Sequence, residues 1–291
     1  MSGPVARLLP DGERLHLQHG PIDLILGAEG PGAAREAAFA AATQRFRGLL
    51  DELVADLPAL RRPVAESSPV SGAIAARMVA ATLPFAEGVF VTPMAAVAGA
   101  VAEAVLAAMC AATPLTRAYV NNGGDIALHL EGDASFTIAM ASSECRVLGQ
   151  VAVSAADPVR GIATSGQRGR SFSFGIADSV TVLAATGATA DVAATLIGNA
   201  VDLPGHPAIH RRPACDIQPD SDLGSRLVVR GVGPLDEAEI AAALDRGAAA
   251  AQRMIDDGQI VTGALFLRGQ IRTVGKARPA PYLTIEETTH A

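Results

Sequence analysis

The sequence predicts an α+β fold of mostly antiparallel sheets covered by helices on one face. Three observations point there. Short runs of β-branched and aliphatic residues are separated by turns containing Gly, Pro and Asn. Ala-rich stretches with apolar residues at helical spacing lie between groups of those runs. The groups come as strands, helices, strands, and then the same order again, which is not a regular βαβ alternation. The chain reads as one domain over residues 1–276, built of two pseudo-repeated halves, with a loose polar tail at 277–291.

Residues 5–9, 14–19 and 21–27 read as strands, because Pro10-Asp11-Gly12 and Gly20-Pro21 are turn signals between apolar runs. Gly30-Pro31-Gly32 opens a helix expected to run to about residue 56, with Phe39, Phe46, Leu49, Leu50 and Leu53 on its apolar face. A connector with Pro and Arg covers 58–69, and a second helix covers about 72–83. Phe90-Val91-Thr92-Pro93 leads into an Ala-rich helix that ends before Pro114. Strands follow at 117–121, 125–130, 134–141 and 148–154, then a strand at 178–184 and a helix at 188–201. Residues 202–224 read as loop; a strand (225–230), a helix (235–257) and two strands (260–268, 270–274) close the domain.

The chain has 291 residues, 49% hydrophobic and 18% charged, ample for a large core. A net charge of −7 with scattered basic residues argues against nucleic acid, whose binders carry a basic stripe. No Trp, two Tyr and eight Phe leave few platforms for base stacking. Cys110, Cys145 and Cys215 form no CxxC and are odd in number, which fits a reducing compartment. The N-terminus lacks an apolar h-region, so the expectation is a cytoplasmic protein. Residues 94–115 are nearly continuous in apolar character, but Glu103 sits at their centre, so a buried helix is expected and no membrane span.

The stretch 161–201 carries the most chemical information. A hydroxyl- and Arg-rich turn (Thr164, Ser165, Gly166, Arg168, Gly169, Arg170, Ser171) precedes a short apolar strand. A helix then opens near Thr189, with Asp191 in its first turn and Thr195 one turn on. Asp and Thr at i, i+4 share a helix face and can hold a hard cation against a phosphate. Arg168 and Arg170 can grip a pyrophosphate in forked geometry; the competing reading is a polar surface loop. Asp191 has a competing reading too, offsetting its helix dipole. Asn121-Asn122-Gly123-Gly124-Asp125 reads first as a hairpin turn, and second as a backbone approach to a ligand with Asp125 as acceptor. His206 and His210 stand four apart with Cys215 beyond, but Pro204, Gly205 and Pro207 argue for a loop with incidental histidines over a zinc site. There is no Walker A sequence, no GxGxxG and no GxSxG elbow.

These motifs together resemble the ApbE-like superfamily, over roughly residues 85–275. VNNGGDIAL (120–128) is similar to its asparagine–glycine–glycine–aspartate hairpin, GIATSG (161–166) to its threonine–serine–glycine strand end, and ADVAAT (190–195) to its metal-binding helix. VTPMAAVAGAVAEAV (91–105) stands in the place of a Gly-rich loop and helix. The resemblance looks closest to a shorter cytoplasmic branch, and it implies two tandem T-fold-like halves. It further implies FAD as ligand and magnesium at Asp191 and Thr195. Asn122, Gly123, Gly124, Thr164, Ser165, Gly166, Arg168, Arg170 and Ser171 would contact the cofactor. Asp125 or Asp178 would be the base for an incoming Thr hydroxyl. The implied activity is FAD:protein FMN transfer; the competing readings are flavin or nucleotide binding without transfer, and a small-molecule enzyme of sulfur or cofactor metabolism. Implied partners are a flavin or nucleotide, an acceptor protein and a second copy of the chain. Two departures stand out: no His occurs between Arg170 and Asp178, where a His–Ile–Asp–Pro segment is usual, and Lys276 is the one lysine in the chain.

Overall fold

The computed structural model describes residues 3–64, 69–141, 147–275 and 283–285. In chain order the elements are β1 (Val5–Leu8), β2 (Arg14–His19), β3 (Ile22–Glu29), α1 (Ala34–Phe46), α2 (Leu49–Leu60), α3 (Ala73–Thr82) and α4 (Val97–Ala112). Next come β4 (Arg117–Asn122), β5 (Asp125–Leu130), β6 (Ser135–Ala141), β7 (Val147–Ser154), β8 (Gly161–Ser165), β9 (Ser179–Ala184) and α5 (Gly187–Ala200). The rest are β10 (Ile209–Pro213), β11 (Leu227–Val232), α6 (Glu237–Asp256), β12 (Thr262–Leu267), β13 (Gln270–Val274) and β14 (Leu283–Ile285). Antiparallel sheets with helices packed on them are the fold class that the sequence predicts.

The chain divides into two compact units whose segments interleave. The first comprises Met1–Ala134, Ala155–Ala163 and Ala184–Val192; the second comprises Ser135–Ser154, Thr164–Leu183 and Ala193–Ala291. The chain passes from one to the other within β8, β9 and α5.

In the first unit, β1 to β5 pair antiparallel in chain order, and Ile126 and Ala127 of β5 pair with Ile162 and Gly161 of β8. Leu15 and Leu17 on β2 and Leu24 and Leu26 on β3 are buried at alternate positions, as half-buried strands require. α1 and α4 pack against each other and on this sheet. The expected long first helix is two: it breaks at Arg47 and Gly48, and α2 continues through Pro58 to Leu60. Phe46, Leu49 and Leu60 are almost fully buried, and a glycine at the joint makes the change of direction cheap. Together with the 3-10 turn before it, α4 makes a stretch, Pro93–Ala112, that is long and apolar enough to cross a membrane by length and composition. Gly99, Ala100, Val101, Ala102, Val105, Leu106 and Met109 of α4 are buried in the unit.

In the second unit, β14, β7 and β6 form one antiparallel group, and β9, β12 and β13 another with α6 packed on it. Asp236 caps α6 with a capping box closed by Glu239. Residues 202–224, expected as loop, contain β10, paired antiparallel with β11 through a bulge at His210/Arg211. Its sequence, IHRRP, has no apolar alternation to signal a strand. Of the expected loose tail, 283–285 pair with β7, and its other residues lie outside the described residues.

Candidate functional site

The first unit brings the starts of α4 and α5 into backbone contact. A Cβ added to Gly99 would lie 2.2 Å from the carbonyl oxygen of Gly187, so only glycine fits at Gly99. At this crossing the helices exchange caps. Asp191 on α5 accepts through Oδ2 from the Gly99 N–H of α4 at 3.0 Å, and the Ala98 N–H bonds to it as well. Glu103 on α4 accepts through Oε1 from the Ala188 N–H of α5 at 2.9 Å, and its other oxygen pairs with Arg77 at 2.5 Å. The free N–H groups of a helix start thus find carboxylates on a neighbouring helix. α5 also has its own cap: the Thr186 hydroxyl accepts from the Thr189 N–H at 3.1 Å. This corrects the expected start near Thr189. The helix begins at Gly187, and Asp191 lies beyond its first turn.

The β4–β5 hairpin closes beside the same crossing. Gly123 and Gly124 have φ 66° and 113°, and the Gly124 N–H donates to Asn121 Oδ1 at 2.8 Å, so this is the tight hairpin turn the Asn-Gly signal predicts. Asn122 is buried and donates through Nδ2 to the Ala98 carbonyl at 3.2 Å, tying the hairpin to the start of α4. Asp125, the first residue of β5, lies close enough to Asp191 for the two carboxylates to repel. Asp191 is surrounded by protein mass yet keeps part of its surface open. Its carboxyl is pushed well above the usual carboxylate range, first by desolvation and then by the charge of Asp125, against the pull of its two backbone donors. Two carboxylates that repel in this way can be relieved by a proton or by a cation. With only two carboxylates here, a cation would retain several waters, as magnesium does. Thr195 lies one turn along α5 from Asp191. Among the described residues no group of three His, Cys, Asp or Glu side chains is arranged to hold a metal ion.

The remaining predicted site residues belong to the second unit. Thr164 Oγ1 is 3.1 Å from Thr181 Oγ1 of β9. Gly166 passes so close to the main chain that an added Cβ would lie 2.4 Å from the Asp178 carbonyl oxygen. Ser165 is half-buried at the end of β8, while Arg168, Arg170 and Ser171 are exposed. Asp178 accepts from the Arg268 N–H at 2.6 Å and from Gln167 Nε2 at 3.3 Å, so its carboxylate joins two turns. The segment in place of the usual His–Ile–Asp–Pro is tied to the end of α5. Phe174 N–H donates to Asn199 Oδ1 at 2.8 Å, Ile176 N–H donates to the Val201 carbonyl, and a Cβ on Gly175 would meet the Gly198 carbonyl at 2.1 Å.

His206 accepts at Nδ1 from the Ala208 N–H, so Nε2 carries the proton that bonds Glu239 at 2.8 Å. It buttresses the α6 cap, and the loop reading of 206–210 holds for His206, with His210 on β10. Cys110 and Cys215 are free thiols, and burial raises that of Cys110 above its ordinary value; Cys145 lies outside the described residues.

A family model described as AbpE bacteria matches residues 6–273. The chain belongs to this AbpE family. Membership of the ApbE-like superfamily is what the motifs around Asn122, Thr164 and Asp191 imply. This AbpE chain is similar to the UPF0280 protein of Methanothrix thermoacetophila, 35% identical over 142 residues, 48% of this chain and 57% of the relative. It is similar to that of Methanopyrus kandleri, 36% identical over 163 residues, 55% of this chain and 63% of the relative. It thus spans little more than half the length of these curated relatives. Among solved structures it is similar to the flavin transferase ApbE from Vibrio cholerae, at 14% identity and a TM-score of 0.49, covering 93% of this chain and 97% of that one. It is also similar to the Pseudomonas stutzeri flavinyl transferase ApbE in its apo form, at 12% identity and a TM-score of 0.45, covering 93% of each chain.

The sequence reading missed Gly99, Glu103 and Thr186. Thr186-x-x-Thr189 is a legible cap signal. Gly99 and Glu103 are legible only as a glycine and a charge where an Ala-rich helix needs neither.

Proposed function

We propose that the chain binds the pyrophosphate of a flavin or adenine dinucleotide with a divalent cation, and transfers FMN from FAD to a protein hydroxyl with release of AMP. The observation that carries this reading is Asp191, deep in the fold, partly open, and held beside Asp125 with its carboxyl pushed upward. Family membership agrees with it. Asp191 and Thr195 would hold magnesium, with Asp125 alongside; the cation would neutralise charge developing on the pyrophosphate. Asp191 is oriented for this by the Gly99 N–H, which occupies Oδ2. The Gly123-Gly124 turn offers a backbone without side chains where a ligand can approach. Asp125 is assigned as the base for an incoming hydroxyl because it stands beside Asp191, at the proposed cation site.

Calorimetry with FAD tests the reading. Binding is expected to tighten with magnesium, and the gain to fall by more than about tenfold in Asp191→Asn and Thr195→Val, equal to ~1.4 kcal/mol. Binding indifferent to magnesium, or unaffected by either change, would sink it. A second reading, binding without transfer, is favoured by one observation: Arg170–Asp178 offers no His and is tied down to α5. Mass spectrometry of a Thr-containing acceptor peptide incubated with the protein, FAD and magnesium separates the two. Gain of the mass of FMN less one water supports transfer, and an unmodified peptide with intact FAD binding supports binding alone.

A further inference from the structure

We propose that the second unit carries a phosphate-binding groove gripped by Arg168, Arg230 and Arg268. The three arginines come from three separate places: the turn after β8, strand β11, and the turn between β12 and β13. They converge on one groove of about 290 Å³, with Gln167 and the Gly231 main chain also on its wall. That volume is at the small end of ligand sites, which begin at about 300 Å³. It suits a phosphate with a small group attached, not a whole dinucleotide.

Arg268 is fixed in place. It adopts a left-handed backbone conformation, φ 49°, and its Nη2 donates to the Val232 carbonyl at 2.7 Å. Carbonyl oxygens hold the guanidinium without cancelling its charge. Arg230 is exposed and makes no hydrogen bond or ion pair among the described residues. Asp178 accepts from Gln167 and from the Arg268 main chain, not from the Arg268 guanidinium. Arg230 and Arg268 set two like charges at one small space, and these repel one another. A dianion removes that repulsion and accepts forked hydrogen bonds from each guanidinium. Arg230 and Arg268 carry no motif signal, so this site arises from the fold. It shares Arg168 with the residues that resemble a cofactor site but requires neither the cation nor FAD.

The test is isothermal titration of the full chain in EDTA, with inorganic phosphate and with glycerol 3-phosphate as probes. Both are expected to bind, and to weaken as potassium chloride is raised. Arg230→Gln and Arg268→Gln are each expected to lose about tenfold in affinity. Arg268 sits in a tight turn, so Arg230→Gln decides the matter if the Arg268 variant fails to fold by circular dichroism. Glycerol 3-phosphate binding more tightly than phosphate identifies a phosphorylated small molecule as the source of the anion. Equal affinities identify free phosphate, and either result upholds the groove. No binding of either probe at millimolar concentration, or unchanged affinity in Arg230→Gln, overturns it. Because EDTA removes the cation, failure here leaves the magnesium–FAD reading standing, and failure of that reading leaves the groove.

Discussion

The starts of α3 and α4 in the first unit are both capped by a carboxylate borrowed from another helix, and these two carboxylates have opposite acidities. At α3, Asp56 of α2 accepts from the Gly72 N–H at 2.7 Å, from the Ser71 N–H and from the Ser71 hydroxyl. Glu52, one turn earlier, accepts from the Ile74 N–H at 3.0 Å. These donors hold Asp56 below the usual carboxylate range, the Gly72 N–H first among them. At α4, Asp191 does the same job and is pushed upward instead. Asp56 is only 8% exposed, but it is a peripheral group covered by its own donors. Asp191 is deep, fewer donors serve it, and a second carboxylate faces it. A cap alone needs none of that. The contrast separates capping from charge burial: donors lower Asp56, whereas at Asp191 they do not offset desolvation and the neighbouring charge.

The comparison is open to direct attack, and the largest effect is expected from the glycines. In Gly99→Ala the new Cβ meets main chain at 2.2 Å, so the two helix starts must separate; the expected loss is about 3 kcal/mol or more. In Gly72→Ala the nearest atoms, at 3.0 Å, are side-chain atoms of Asp56 and Glu52 that can yield, and about 1 kcal/mol is expected. Urea denaturation of both variants checks this, and equal losses would show that the α4–α5 crossing is looser than its geometry.

Removing the carboxylates comes next. Asp56→Ala strands three donors and should cost about 2 kcal/mol at neutral pH. Asp191→Asn, measured in EDTA, keeps an acceptor for Gly99 and deletes the repulsion with Asp125, so its cost should stay under about 0.5 kcal/mol or become a gain. A large loss in Asp191→Asn without metal would mean that the charge itself holds the α4 cap.

The pH dependence should separate the two sites by sign. For Asp56, whose folded pKa is held below the ordinary carboxylate value, the contribution is complete above that value and is lost as the pH falls through the folded pKa. For Asp191, raised above 3.8, it is complete below that value and is lost as the pH rises through the folded pKa. Neither slope can exceed ~1.4 kcal/mol per pH unit. Thermal melts across pH in EDTA should therefore show the alkaline-side slope flattened in Asp191→Asn and the acid-side slope flattened in Asp56→Asn. The same slopes in both variants would contradict the assignment. A comparably small effect is expected from Glu103→Gln. It keeps an acceptor for Ala188 and loses the partly exposed pair with Arg77, a change of about 0.5 kcal/mol in chemical denaturation. A loss several times larger would mean that the Glu103 charge, and not an acceptor alone, holds the start of α5.

Much of the fold was legible because its signals are local. Asn122-Gly123 specifies a tight hairpin from backbone sterics alone, and the register Asn122↔Asp125 follows from it. Strand β10 was not legible, since a short polar ribbon is stabilised by its partner β11 and not by its own pattern. The α1–α2 break was not legible either. An apolar face that spans Phe46 and Leu49 looks continuous until burial on both sides of Gly48 bends it. Of the candidate site, Asp191, Asp125 and Asn122 were marked as residues, but the contact among them was not.

The sequence by itself determined most element types, the hairpin at Asn122, the superfamily and the residues that carry charge. Each follows from short-range sterics, from apolar periodicity or from motif spacing. Only the tertiary structure decided what Asp191 does. Its acidity depends on the dielectric around it and on Asp125, 66 positions away in the chain (191 − 125 = 66). Only the tertiary structure set Gly99 against Gly187 and gathered Arg168, Arg230 and Arg268 around one groove. Coulombic interaction and steric exclusion act through space, and no spacing along the chain encodes a distance that only folding creates.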